Sequence, residues 1–219
     1  MDRRPLSNYG RLPLLLTLLA TLAATGGCAS ALATALWVVK GPNLDAECDV
    51  LRSKRVAVVC RPMVNLTYRN QGVAKDIAKQ MNTLLAKHVP KIDVIDHREV
   101  AEWIDENTWD EYTEIGEALE ADMVVGVDLE HFGIFEGMTI YQGKANVTVN
   151  VYDCSTGEVV FEKTLPQVIW PPNSVVSASD QQEAEFRRNF VGVLADEIAR
   201  HFYAHDPHAY FAMDATTLR

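Results

Sequence analysis

Residues 55–60 (RVAVVC) form a short apolar, β-branched run, the pattern of a strand covered on both faces. From residue 70 to residue 89 the apolar positions change to helical spacing. Val73, Ile77, Met81, Leu84 and Leu85 fall on one face, and Pro90 ends the helix. Residues 92–96 alternate as a second strand. Residues 98–106 form a short helix with Val100 and Ile104 on one side. Thr108 with Glu111 reads as a capping box, and it opens a helix whose stripe is Tyr112, Ile115 and Leu119. A third strand covers residues 123–129. After a turn at Glu136-Gly137, residues 139–153 set Val147, Val149 and Val151 against Asn146, Thr148 and Asn150, a strand with one buried and one wet face. Ser155-Thr156-Gly157 is a second turn, and residues 158–165 are the last strand. Pro166, Pro171 and Pro172 mark a loop. Asp180 with Glu183 reads as another capping box. The helix after it carries Phe186, Phe190, Leu194, Ile198 and Phe202 in an i, i+4 ladder.

The amino terminus obeys a different pattern. Arg3, Arg4 and Arg11 precede an apolar stretch over residues 12–25, followed by Gly26, Gly27 and Cys28. A basic segment, an apolar segment and then small residues are the layout of an export signal. Gly26-Gly27-Cys28 resembles the lipobox of bacterial lipoproteins, with Thr25 where leucine is usual. That resemblance implies cleavage before Cys28 and a diacylated cysteine, which holds a membrane where a single acyl chain does not. Two other readings stay open. Ala29-Ser30-Ala31 suits an ordinary signal peptidase. The uncharged run over residues 12–39 is also long enough for an uncleaved anchor. All three export the rest of the chain, because the positive charges come before the apolar run. The expected organisation is therefore a lipoprotein-type signal over residues 1–27, a tether over 28–53, an α/β domain over 54–203 and a flexible tail over 204–219. The fold expected is one α/β (α+β) domain: a mixed sheet of about five strands, helices mainly on one face, and a carboxy-terminal amphipathic helix.

Composition narrows the function. Hydrophobic residues make up 48% and charged residues 23%, an ordinary globular balance that supports a core without metals or disulfides. Net charge is −10, and the signal carries a positive excess, so the remainder is more acidic still. Such a surface repels phosphate backbones and does not adhere to anionic lipid, so nucleic acid is excluded as a partner. Once Cys28 is set aside, Cys48, Cys60 and Cys154 remain, with no Cys-x-x-Cys spacing; a Cys48–Cys154 bridge is left undecided.

No nucleotide, phosphate-loop, nucleophile-elbow or zinc-protease motif occurs in the chain. His201, His205 and His208 would share a face of a continuing helix and could hold a metal, although Asp206-Pro207 favours a helix end before His208. Cys60 is a candidate nucleophile, and also an ordinary small core residue. Acidic residues crowd positions 102–128, as a solvated helix face or a partner surface. Trp103 and Trp109 lie beside them, and Trp170 sits against Pro171 and Pro172; these three are the candidate partner surface.

Three stretches carry a resemblance to a known group: Lys54-Arg-Val-Ala-Val-Val59, residues 115–126 (IGEALEADMVVG) and residues 149–158 (VNVYDCSTGE). Over residues 54–203 their order resembles the domain shared by the curli-secretion lipoprotein, the amino-terminal domain of the Tol propeller protein and the lipoproteins that activate penicillin-binding proteins. The resemblance implies a mixed sheet and a non-catalytic envelope scaffold or adaptor without a cofactor. Its expected partner is another envelope protein or a second copy. Ala29 after the cysteine, in place of aspartate, implies the outer membrane by the enteric sorting rule, facing the periplasm. The alternatives are an exported metal-dependent hydrolase using the carboxy-terminal histidines, or a small-ligand-binding module with its pocket at the sheet's edge.

Overall fold

In the computed structural model, residues 43–62, 67–179 and 181–207 are described, with backbone only for residues 67–71. The apolar run of the first strand becomes β1 (Arg55–Pro62), and the amphipathic segment after it becomes α1 (Thr67–His88). Then follow β2 (Asp93–Val94), α2 (His97–Glu106), α3 (Tyr112–Ala118), β3 (Met123–Phe135) and β4 (Ile140–Asp153). The chain continues through β5 (Val159–Thr164), β6 (Val168–Trp170), β7 (Val176–Ser177) and α4 (Glu183–Ala199), and it closes with a 3-10 turn over Arg200–Phe202.

One mixed sheet results, in the order β2-β1-β3-β4-β5, with β6 and β7 also paired to β4. β1 is parallel to β2 and to β3, and the other pairs are antiparallel. Strand alternation sends Val56 and Val58, Val125 and Val127, and Val147, Val149 and Val151 to one face. There they meet Ile77, Met81 and Leu85 of α1 and Phe186, Phe190, Leu194 and Ile198 of α4, all fully buried. The opposite face is smaller. Ala57, Val59 and Val124 meet Val100 of α2, Tyr112 and Ile115 of α3, and Leu119 just after it. The two long helices thus share one face, as expected, and two short helices form a thin layer on the other.

Several local expectations change. The capping box of α3 is Glu111 with Glu114 rather than Thr108 with Glu111. α4 starts one residue after Gln182, so Asp180 is too far upstream to cap it, and its own placement lies outside the described residues. β3 runs six residues beyond the expected end, past a bulge between Leu129 and His131 that breaks the alternation. The proline-marked loop contains β6, which pairs with Gly143, Lys144 and Ala145. Both glycine turns form, with Gly137 at φ 78° and Gly157 at φ 75°, where a side chain would be strained.

The stretch expected as tether is packed from Leu44 onward. Leu44 and His205 exchange backbone bonds at 2.8 and 3.0 Å, and Cys48 N donates to His201 O. Cys48 and Leu51 are buried in the large core. The compact unit accordingly begins at Leu44, ten residues before the expected boundary. These residues read as linker because Leu44, Cys48 and Leu51 have neither period. Cys28 and its surroundings lie outside the described residues, as does the tail from His208. Among the described residues, no helix is long and apolar enough to cross a membrane.

Candidate functional site

The parallel register of β1 and β3 sets Arg61, at the carboxyl end of β1, directly beside Asp128 in the middle of β3, on the α2–α3 face. Arg61 Nε and Nη2 donate to Asp128 Oδ1 at 3.2 and 3.1 Å, and the Tyr112 hydroxyl donates to the same oxygen at 2.8 Å. Arg61 Nη1 donates to Asp110 O at 3.0 Å. Its guanidinium lies over the rings of Tyr112 and Trp109, with 4.7 and 5.4 Å to the centroids. Tyr112 stacks in turn on Tyr152. Gly126 makes room for this arrangement, since a Cβ there would come within 2.9 Å of the Tyr112 ring. Burial, and then the negative charge of Asp128, push the Tyr112 hydroxyl above its ordinary value, so it remains a proton donor to the carboxylate. The network neutralises a charge pair and pins α3 to β3.

Beside this network a cleft of about 440 Å³ opens between α1 and α2, which approach β1 from opposite faces. Cys60 and Trp109 line it, with Ala74 and Ala78 of α1 and Ala101 and Ile104 of α2. Lys75 of α1 bonds Asp105 of α2 at 2.7 and 2.9 Å. Burial pushes the Cys60 thiol far up, with Asp128 adding to the shift, so Cys60 is protonated and a poor nucleophile.

A second groove, about 600 Å³, runs between α4 and the β5–β6 edge and is lined by Leu165, Trp170, Val193 and His201. His201 stands 3.2 Å from Glu47, which also accepts from Lys163 at 2.7 Å. Desolvation holds the His201 imidazole below its usual pKa against the pull of Glu47. The alternative helical face of histidines does not form, because α4 ends at Ala199. His205 instead bonds Tyr203 O and pairs with Leu44, so His201 and His205 are not brought together as ligands. Among the described residues no cluster of metal-ligating side chains is present. Cys48, Cys60 and Cys154 are free thiols. Cys48 belongs to the large core and Cys154 packs on the small one, so the sheet separates them and the Cys48–Cys154 bridge does not form.

The three tryptophans are half-buried and fall in two places. Trp103 and Trp109 pack on the small core. Trp170 packs on Phe186 in the first turns of α4, with 4.9 Å between the rings. That end of the domain also presents the β3–β4 tip. Phe135, Met138 and Val175 are exposed there, Met138 at 94%, and Phe135 lies against Tyr141, which itself stacks on Phe186. In the sheet, Phe135, Tyr141 and Val176 stand side by side on β3, β4 and β7. Neither the Arg61–Asp128 pair nor the tip was singled out by the periodicity. The available signals were a charge at position 128 inside an apolar strand and an unprotected Met138 after a turn glycine.

No protein-family model and no curated protein sequence matches the chain. Solved structures of similar shape include the PelC dodecamer from Paraburkholderia phytofirmans, at 12% identity and TM-score 0.44, covering 73% of this chain and 93% of that one. Lipoprotein GNA1162 from Neisseria meningitidis is similar at 10% identity and TM-score 0.42, covering 66% and 97%. The LpoB carboxy-terminal domain from Salmonella enterica follows at 11% and 0.37, covering 54% and 84%. All these TM-scores lie below one half, so the likeness is loose, and function has to be argued from this chain's own residues.

Proposed function

We propose that the chain is a membrane-tethered, non-enzymatic protein of the cell envelope whose domain binds another protein, as a scaffold or adaptor. The observation that carries this reading is the placement of the exposed apolar tip. The chain enters the domain at Leu44, beside His205 and just beyond the carboxyl end of α4. Phe135, Met138 and Trp170 gather at the other end of α4, a helix of 17 residues and so about 25 Å away. A tether through Cys28 therefore leads into one end of the domain, and the sticky surface is at the other. Solvated apolar groups grouped with a half-buried tryptophan are the composition of a protein-binding patch. The acidic surface limits such a partner to one without dense negative charge.

The test places a photo-reactive phenylalanine analogue at Met138 in the full chain, expressed in the membrane. The expected result is a discrete crosslinked adduct that disappears when Phe135 and Val175 are changed to Asp. Recovery of uncrosslinked monomer alone would overturn the reading. Intact mass of the extracted protein tests the tether separately: a diacylglycerol adduct on a chain beginning at Cys28 is expected, and a chain beginning at Met1 or Leu32 counts against it. Facing of the domain toward the periplasm, on the outer membrane, is the localisation that accompanies this proposal. Protease access in intact and opened cells checks it.

A further inference from the structure

The path of the chain through the sheet makes β1 and β2 a special pair. β1 leads from its carboxyl end into α1, on the large-core face. β2, its parallel neighbour, leads from its carboxyl end into α2, on the opposite face. Where adjacent parallel strands send their connections to opposite faces, a crevice opens at the carboxyl ends, and such crevices are where open α/β sheets bind ligands. The 440 Å³ cleft is this crevice, since its lining comes from the end of β1, from α1 and from α2. Its volume is within the ordinary range for small-molecule sites.

Its chemistry is divided. The floor is apolar, built from Cys60, Ala74, Ala78, Ala101 and Ile104 with Trp109 as one wall. The rim is cationic, in a protein of net charge −10. Arg61 and Lys75 are already matched by Asp128 and Asp105. Lys79 and Arg98 also line the cleft and make no ion pair among the described residues, with Asp76 as the one unmatched acid beside them. α2 begins at the cleft, with His97 and Arg98 in its first turn; its amino end is capped by Asp96, so the preference rests on the two side-chain cations.

We propose that this crevice binds a single-chain apolar anion, with its apolar part held between α1 and α2 and its anionic head held by Lys79 and Arg98. The site is separate from the β3–β4 tip, and it stands or falls independently of the protein-binding role. The ligand enters as a free monomer, because a slot between two helices accommodates one chain and presents no flat face to a bilayer.

Cys60 on the cleft floor supplies a site-specific readout, followed at alkaline pH with excess reagent because burial holds its thiol protonated. The probe is decanoate at monomeric concentration, with decanol and acetate as partners lacking the charge or the chain. The rate of Cys60 alkylation by N-ethylmaleimide is followed by mass spectrometry in the full chain, with Cys154, on the far side of α3, as internal reference. Decanoate is expected to slow Cys60 labelling about tenfold at saturating occupancy, with acetate inert and decanol weaker by about tenfold in affinity. In Lys79→Gln/Arg98→Gln the decanoate advantage over decanol should vanish while the thermal midpoint stays unchanged, since both side chains are solvated. Ala101→Leu, which fills the slot, should abolish protection by both. Equal protection by decanoate and decanol in the wild-type chain would overturn the anion preference. No protection of Cys60 at any concentration would overturn the site. Binding to anionic vesicles without protection by the monomer would assign the rim to a membrane surface and likewise overturn it.

Discussion

The two faces of the sheet are built on different principles. On the α1–α4 face the contacts are aliphatic and aromatic packing: Val58, Val127 and Val149 under Ile77, Phe190 and Ile198, with Phe132 stacked on Phe190. On the α2–α3 face the packed area is small, and beyond it the layer is finished by a charged and aromatic network around Asp128. Hydrophobic burial is proportional to area and indifferent to direction, so the first face supplies stability without specifying a surface. Hydrogen bonds and cation–π contacts are directional, so the second face fixes the positions of Trp109 and Arg61 at the mouth of a cleft. One side of the sheet is thus held by undirected packing and the other by directed polar contacts.

The sharpest way to break the first face is Phe190→Ala. Phe190 is fully buried, stacks on Phe132 at 5.2 Å between centroids, and lies so close to Gly143 that a Cβ there would meet its ring at 2.5 Å. Truncation removes an aromatic ring from a site that the glycine cannot refill. The expected loss is about 3–5 kcal/mol, read as a fall in the denaturant midpoint. If the loss were as small as that of a surface change, the large core would not be the source of stability.

On the other face, Asp128→Ala removes the acceptor shared by Tyr112 and Arg61. Arg61 is partly open to water and can be resolvated, so its lost ion pair is discounted; the buried Tyr112 hydroxyl is the larger debit. About 1–2 kcal/mol is expected, smaller than for Phe190→Ala. The distinguishing result is local: amide hydrogen exchange should quicken in α3 while that of α4 stays unchanged. Equal changes in both helices would mean that the two faces are one cooperative structure.

A third comparison sets pH against both. Glu47 is held below the ordinary carboxylate range, first by its hydrogen bond from Lys163 and then by the charge of His201. A depressed carboxylate contributes stability that is present above its unfolded pKa and is lost as pH falls through the folded one. His201 is also depressed, chiefly by burial, so between its folded and unfolded values the unfolded chain binds the extra proton and stability again rises with pH. Both groups therefore weaken the clasp between Leu44–Cys48 and the end of α4 on acidification, His201 from the ordinary imidazole value downward and Glu47 from the ordinary carboxylate value downward. Denaturant unfolding from pH 7.5 to pH 4.5 should show a declining midpoint, with a shallower decline in His201→Gln (both pH limits are of the order set by the ordinary imidazole and carboxylate values). An equally steep decline in the variant would remove His201 from the account.

How far these features were legible follows from the same contrast. Periodicity reports burial on one side of an element, so α1, β4 and the Phe186–Phe202 ladder could be read directly, and the large core with them. It does not report which residues of distant strands become neighbours. Arg61 and Asp128 are 67 positions apart and meet only through the parallel register of β1 and β3, and the crevice depends on the order β2-β1-β3. The Leu44–Leu51 segment was missed for a related reason: its apolar residues are anchored singly by tertiary contacts and follow no repeat. The carboxy-terminal histidines would share a face only on a continuing helix; past Ala199 the chain tightens into a 3-10 turn and His201 faces Glu47.

The smallest expected effect on stability belongs to the feature that carries the proposed function. Met138 is 94% exposed at the β3–β4 tip, and it contributes little burial to either face. Met138→Asp should therefore change stability by no more than about 0.5 kcal/mol, within the range of ordinary surface substitutions. A methionine of this kind has no folding reason to be apolar, because a polar residue would serve a turn between two strands as well or better. With the photo-reactive residue moved to Val175 at the same tip, the same substitution should remove the crosslinked adduct while leaving the denaturant midpoint and Cys60 labelling unchanged. Loss of the adduct with an unchanged midpoint separates binding from folding at a single side chain. A large drop in the midpoint would instead make the tip part of the core, and the division of labour between the ends of α4 would have to be abandoned.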